Sequence, residues 1–275
     1  MILEGDCEKN AVKLSPNSVQ TIVTSPPYWG LRDYDNDGQL GQEETPEQFV
    51  DKLVYLFNIL KDKLKDDGTL WINIGDTYFG AKGGAWEGKN SITTTETGSE
   101  YRIKKKAPKK HEYLKTKDLV GIPWKFAISM QKSGWYLRQD IIWHKPVPMP
   151  ESVNDRLQKS HEHIFMFSKK PNYYFDTAAI MLPSKDRQSM VRGHDVWDIP
   201  TSNYQGAHFA VFPEKLPELC IKASTRKNDI VLDPFMGSGT TAYVAQRLGR
   251  KWIGIELNPE YIKIIKQRTS QTELF

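Results

Sequence analysis

The stretch Thr24-Ser25-Pro26-Pro27-Tyr28-Trp29 brings two hydroxyls, two prolines and two aromatic rings together at one point of the chain. The β-branched run from Gln20 to Thr24 predicts a strand that stops at the prolines. Neither proline donates a ladder hydrogen bond, and each turns the residue before it away from helix. The strand therefore ends in a stiff loop that presents outward carbonyls, the Ser25 hydroxyl and aromatic faces. Such a loop suits a planar ring carrying an amine, with Tyr28 or Trp29 stacking on the ring while oxygens accept its N–H groups. From this stretch alone, an ordinary Pro-Pro turn beside a core aromatic pair competes with that interpretation.

A second constellation lies far along the chain. Asp233-Pro234-Phe235-Met236-Gly237-Ser238-Gly239-Thr240-Thr241 follows the strand-like Asp229 to Leu232 and precedes a helical run from Ala242 to Leu248. Glycines at a strand-to-helix turn let a ligand approach the backbone closely. No lysine completes a Gly-Lys-Ser/Thr phosphate loop, which disfavours a nucleotide-binding ATPase module. Trp252 to Ile255 then predicts a strand ending in Glu256, and a carboxylate so placed is the usual partner of two ribose hydroxyls.

Together these segments resemble the amino-group DNA methyltransferases that use S-adenosylmethionine (AdoMet), in the permuted order with the catalytic loop first and the cofactor loop last. Thr24 to Tyr28 matches the family's Ser/Asp/Asn-Pro-Pro-Tyr/Phe/Trp motif, and Asp233 to Thr241 its glycine-rich loop. The resemblance implies an α/β, Rossmann-like fold with a mostly parallel sheet, helices on both faces and a circularly permuted motif order. It implies AdoMet bound by Asp233, Pro234, Phe235, Gly237, Ser238, Gly239 and Thr240, with Glu256 on the ribose. Gly5-Asp6-Cys7 resembles the element over the adenine, and Phe212 walls the pocket. Asp6 also reads as a helix N-cap.

For catalysis the resemblance implies Ser25, Pro26, Pro27 and Tyr28. The Ser25 hydroxyl and Pro26 carbonyl would accept hydrogen bonds from an exocyclic amine, and Tyr28 would stack on a base flipped out of duplex DNA. Members with serine at the first motif position are mostly cytosine-N4 enzymes, so N4-methylcytosine is the expected product and N6-methyladenine the alternative. RNA as substrate and a non-catalytic DNA-binding role are further alternatives. Neither Cys7 nor Cys220 follows a proline, so a cytosine-C5 thiolate mechanism is not expected. The resemblance also implies a cognate restriction endonuclease as partner.

The length of 275 residues suits one α/β domain, and 39% hydrophobic with 26% charged residues are globular values. No apolar run approaches the roughly 20 residues of a membrane helix, and no signal peptide is evident, so a cytoplasmic protein is expected. The two cysteines give neither a disulfide framework nor zinc spacing. A net charge of +4 leans toward a polyanionic partner. DNA contacts are expected from Trp29 and Arg32 beside the catalytic loop. A glycine-rich, then basic insertion at about 77–117 contributes Lys104, Lys105, Lys106, Lys109 and Lys110, which give sequence-independent affinity. The segment at about 172–205, with Arg187 and Arg192 among aromatics, is expected to read bases. His161 and His163 alternate on a strand without a third ligand nearby in sequence, so no metal is expected.

The elements that must position these groups follow from pattern. Thr45-Pro46-Glu47-Gln48 reads as a capped helix start. Phe49, Leu53, Leu56, Phe57, Leu60 and Leu64 form one apolar face, with Asp66-Asp67-Gly68 ending the helix. Thr69 to Gly75 is a buried strand, Gly121 to Lys132 a helix, Trp135 to Trp143 and Ile164 to Phe167 strands. Lys145 to Arg156 is a proline-rich connection. Phe209 and Phe212 flank a Pro213-capped helix, and Pro259 to about Thr269 is the last helix. Strands alternating with helices imply a parallel sheet with ligands at its carboxyl edge, where Ser25 and Asp233 would meet.

Overall fold

Alternate residues along the strands face two separate helix layers, and this period of two organises the molecule. The computed structural model describes residues 1–30, 39–80, 93–94, 100–101, 111–183, 189–201 and 213–270. Among these, eight strands form one sheet. They are β1 (Ile2–Glu4), β2 (Val19–Thr24), β3 (Leu64–Ile74), β4 (Tyr136–His144), β5 (His161–Ser168), β6 (Val196–Asp198), β7 (Ile230–Asp233) and β8 (Lys251–Glu256). Their order is β1-β8-β7-β2-β3-β5-β4-β6. β5 runs antiparallel to both its neighbours, and the other pairs are parallel.

Ile22, Leu70, Ile72, Phe165, Phe167, Leu232 and Ile255 meet the layer of α1 (Cys7–Ala11), α2 (Pro46–Lys61) and α3 (Ile122–Lys132). Their neighbours Val23, Trp71, Ile164, Met166 and Val231 face α4 (Lys215–Ser224) and α5 (Thr240–Arg247). The last helix, α6 (Pro259–Ser270), closes over the turn before α5 through Ile265, which packs on Met236 and Ala242. The expected Rossmann-like α/β architecture is thus present. None of the helices among the described residues is long and apolar enough to cross a membrane.

The capped start of α2 forms as its sequence predicts. Gln48 N donates to Thr45 Oγ1 at 3.2 Å, and Thr45 N donates back to Gln48 Oε1 at 3.3 Å. Its end differs from expectation: the helix stops at Lys61, and Leu64 already belongs to β3, opposite Val19. Asp66-Asp67-Gly68 is an irregularity inside that strand rather than a helix stop. A Cβ on Gly68 would stand 3.0 Å from the Gln20 carbonyl oxygen, so only glycine lets the two strands close there.

This topology sends the ends of β1, β2, β3, β4, β6, β7 and β8, and the start of β5, to one edge of the sheet. Ser25, Asn73, Lys145, Glu162, Asp233 and Glu256 all stand on or just beyond that edge.

Candidate active site

The loop after β2 is held by a polar network that the sequence pattern did not single out. The Tyr28 hydroxyl donates to Glu162 Oε2 at 2.5 Å and lies 3.2 Å from Asn73 Oδ1. The Asn73 amide Nδ2 donates to Glu162 Oε2 at 3.0 Å and to the His163 carbonyl at 3.3 Å. These two acceptors fix the amide orientation and leave Oδ1 turned toward the loop, where the Ser25 hydroxyl donates to it at 3.4 Å. With its proton so engaged, Ser25 Oγ keeps its lone pairs for an incoming N–H group. The Tyr28 ring lies close against Gly75, where a Cβ would come 2.6 Å from Cε2. Glycine there is what allows the ring this position.

Glu162 is the hub. Its side chain is 12% exposed and ion-paired with Lys145 Nζ. Burial alone would raise its carboxyl, but the Lys145 ammonium and the hydrogen bonds from Lys145, Tyr28 and Asn73 prevail and hold it below the ordinary range. The group is therefore a fixed anion that orients two neutral side chains. The His163 ring nitrogen Nδ1 is hydrogen-bonded to Asp140 Oδ1 at 2.9 Å and the ring stacks on Phe165, and no group of metal-binding side chains occurs among the described residues.

The second half of the site is the turn from Asp233 to Thr240. Asp233 is fully buried, and both its oxygens are engaged by protein. Thr24 Oγ1 donates at 2.6 Å and Phe235 N at 3.0 Å to Oδ1, while Thr241 Oγ1 donates at 2.7 Å to Oδ2. Burial pushes its carboxyl up to about 6 against the lowering effect of these bonds. Asp233 is a buried tie that fixes the glycine turn to the end of β2. Ser238 and Thr240 are likewise buried, and Arg268 of α6 clamps them, its Nη1 donating to the Ser238 carbonyl at 3.1 Å and lying 3.2 Å from Thr240 Oγ1.

The two glycines of the turn differ. Both have positive φ, 53° at Gly237 and 85° at Gly239. A Cβ on Gly239 would press on Ile265 at 3.0 Å, so this glycine serves helix packing. A Cβ on Gly237 would meet nothing closer than 3.9 Å, so this glycine borders open space that a ligand can enter.

Beside it, Gly237 N donates to Glu256 Oε2 at 2.7 Å and Asn258 N to Oε1 at 2.8 Å. Each carboxylate oxygen retains lone-pair capacity for a vicinal diol. Burial first, then the Asp233 charge, pushes the Glu256 carboxyl up to about 7, while the two backbone N–H groups oppose the shift. The donor set thus fits a ribose-bearing cofactor.

Several of the expected residues make structural contacts. Trp29 is 3% exposed within the α1–α3 core and donates its indole N–H to the Glu43 carbonyl at 2.9 Å, so it supports the loop from beneath rather than meeting DNA. Asp6 caps α1, accepting from Lys9 N at 2.9 Å, while Gly5 N donates to the Glu256 carbonyl at 2.8 Å. The α1 entry is therefore tied to the ribose-side strand. Burial and the neighbouring Asp6 push the Cys7 thiol up to about 12, and burial pushes the Cys220 thiol up as well.

Pro26 is buried, Pro27, Tyr28 and Phe235 are half-buried, and Arg192 is exposed beyond the edge strand. In the segment expected to read bases, Tyr174 N donates to the Asp67 carbonyl at 3.0 Å and Phe175 stacks on Trp71. The later part of that segment, Val196–Asp198, does pair beside β4 at the functional edge. The ends of the basic insertion are closed by Phe79 N to the Asp118 carbonyl and Lys117 N to the Phe79 carbonyl, both 2.8 Å. Arg32, Lys104, Lys105, Lys106, Lys109, Lys110, Arg187, Phe209 and Phe212 lie outside the described residues.

Sequence reasoning missed Asn73, Glu162 and Lys145. A polar residue in an otherwise apolar strand, and a carboxylate opening β5 between two histidines, are the signals that could have found the first two.

A loop able to accept an amine's N–H groups and a carboxylate able to hold a diol stand at one sheet edge, joined by a buried Thr24–Asp233 bond, and methyl transfer to an exocyclic nitrogen requires such parts. In agreement with this, a DNA methylase family model, that of the N6/N4 methylases, matches residues 19–267, and the chain belongs to that family. Its relatives include the type II methyltransferase M.SmaI of Serratia marcescens, 47% identical over 97% of this chain and 89% of that one. M.Cfr9I of Citrobacter freundii is 46% identical over 97% of this chain and 86% of its own. The fold is similar to that of the PvuII DNA methyltransferase (cytosine-N4-specific), with a TM-score of 0.72 at 24% identity, over 98% of this chain and 85% of that one. It is also similar to a Thermus thermophilus protein solved in complex with S-adenosyl-L-methionine, with a TM-score of 0.66 at 27% identity, over 98% and 95% of the two chains.

Proposed function

We propose that the chain is a site-specific type II DNA methyltransferase that transfers the methyl group of AdoMet to the N4 amine of cytosine in duplex DNA. The observation that carries the assignment is the neutral Ser25 hydroxyl, donating to Asn73 at 3.4 Å and so left as an acceptor. The family's serine-first members are mostly cytosine-N4 enzymes, and an adenine-N6 product is the alternative reading.

AdoMet, when bound, supplies an electrophilic methyl on a sulfonium. Glu256 would hold its ribose, with the backbone at Gly237 lying alongside. The amine nitrogen of cytosine is a poor nucleophile because its lone pair is conjugated with the ring. Acceptance of its N–H groups by Ser25 Oγ and the Pro26 carbonyl favours the pyramidal, positively charged nitrogen over the planar one, and once methylated that nitrogen releases one proton to solvent to leave the neutral N4-methyl amine. Tyr28, set by Glu162, stacks on the extruded base and fixes its plane. Glu162 and Lys145 hold these groups without touching the substrate. In this reading the protein acts in the cytoplasm and shields DNA from a cognate restriction endonuclease.

Incubation with duplex DNA and methyl-labelled AdoMet is expected to transfer label to the DNA. Ser25→Ala should transfer roughly 10²-fold less, the scale of removing one preorganised hydrogen bond to the transition state. Absence of label transfer by the wild-type chain would contradict the proposal.

A further inference from the structure

The three most exposed large hydrophobic side chains among the described residues are Leu157, Met149 and Val147, at 92%, 87% and 79%. All three lie on the connection from β4 to β5, at the sheet edge that carries Ser25 and Tyr28. Clustered apolar groups in water mark a surface that another molecule covers.

The connection is not a loose loop. At its base Lys145 pairs with Glu162, Lys145 N donates to the Ser160 carbonyl at 2.7 Å, and Lys159 Nζ donates to the Asp76 carbonyl at 2.7 Å. Across it, Gln158 Nε2 donates to the Met149 carbonyl at 2.7 Å. The Arg156 guanidinium lies over the Tyr78 ring at 4.0 Å and bonds Glu151 at 2.5 Å. Pro146, Pro148 and Pro150 fix φ at alternate positions. Both carboxylates of the connection are met by cations, Glu151 by Arg156 and Asp155 by Lys117. The loop therefore offers a polyanion a rigid apolar tip with no unopposed negative charge.

We propose that Met149 and Leu157 form a wedge that enters duplex DNA beside the extruded nucleotide and occupies the stack that it leaves. The inference rests on the reading that the chain flips its target base. Extrusion leaves a gap between the apolar faces of neighbouring base pairs, and unbranched or singly branched apolar side chains fill such gaps. The anchorage through Lys145 and Glu162 links the wedge to Tyr28, so insertion and base capture are made by one rigid unit.

The test uses the full chain and a duplex oligonucleotide carrying its methylation site, located first on methylated plasmid DNA. The duplex is made in two forms, one fully paired and one with an abasic position opposite the target base. A double variant, Met149→Ser with Leu157→Ser, should lose roughly tenfold or more in kcat/KM on the paired duplex and stay within about twofold of wild type on the abasic one, where extrusion breaks no pair. Both side chains are in solvent, so its thermal midpoint and AdoMet affinity should match wild type. An equal loss on both duplexes, or no loss on either, overturns the wedge. A wild-type chain that methylates neither duplex overturns the proposed function itself, and the wedge with it. An adenine product leaves the wedge standing, with the abasic position moved opposite that adenine.

Discussion

Glu162 governs the catalytic loop through two hydrogen bonds, one that sets the Tyr28 ring and one that sets the Asn73 amide. Glu162→Gln removes the charge that Lys145 pairs with and lets the Asn73 amide turn over, which would redirect the Ser25 proton. The variant should retain AdoMet affinity and lose roughly 10²-fold in kcat, the scale of a small misplacement of reacting groups. Calorimetry with AdoMet and single-turnover methylation together separate this outcome from simple unfolding.

Glu256 makes a different prediction. Glu256→Ala should weaken AdoMet binding by roughly 1.5–3 kcal/mol, the worth of hydrogen bonds to a charged acceptor. Its carboxyl is raised from 4.5 to about 7, so the folded chain holds this proton more readily than the unfolded one. That contribution to stability is fully present below pH 4.5 and is lost as pH rises toward about 7. Between pH 5 and pH 8, urea unfolding of the cofactor-free wild type should therefore lose roughly 2–3 kcal/mol more than Glu256→Gln does. Parallel pH profiles of the two proteins would contradict the assignment.

At the scale of elements, the signals that stood in the sequence are those written locally. Thr45, Pro46 and Gln48 predict a helix start because capping is settled within one turn, and Thr45→Ala should cost about 1 kcal/mol in chemical denaturation. The Pro-Pro stop after Thr24 and the glycine turn after Asp233 are equally local. Gly237→Val should block cofactor binding, since its side chain would enter the open space of the turn in a backbone conformation, φ 53°, that valine resists. A wild-type AdoMet affinity in that variant would remove the turn from the pocket. What the sequence did not reveal is set by pairing between distant strands. Leu64 fits the helical face of α2 by spacing, yet its partner is Val19, and that pairing puts it in β3. Glu162 and Asn73 are 89 positions apart, joined only because β5 lies antiparallel on β3. Trp29 looks like a ligand-facing ring in sequence and is drawn into the core by the volume that its side chain fills.

At the scale of the whole molecule, the sheet brings β2 and β7 side by side although they lie at opposite ends of the chain. The Thr24–Asp233 bond spans 209 positions at 2.6 Å and ties the catalytic loop to the cofactor turn. Affinity and selectivity for DNA are expected to reside in different segments. Replacing Lys104, Lys105, Lys106, Lys109 and Lys110 with alanine should weaken binding to all duplexes alike and flatten the salt slope by roughly 0.9 for each phosphate that is no longer neutralised. A changed site preference at an unchanged slope would instead make that insertion the reader of sequence.

The central claim, methyl transfer to a cytosine N4 amine at Ser25, is tested most directly by the nucleosides of DNA that the chain has methylated. After enzymatic digestion, mass spectrometry should find N4-methylcytosine in wild-type samples and a strongly reduced amount with Ser25→Ala. N6-methyladenine as the only modified nucleoside would contradict the cytosine assignment, and 5-methylcytosine would contradict direct transfer to an amine.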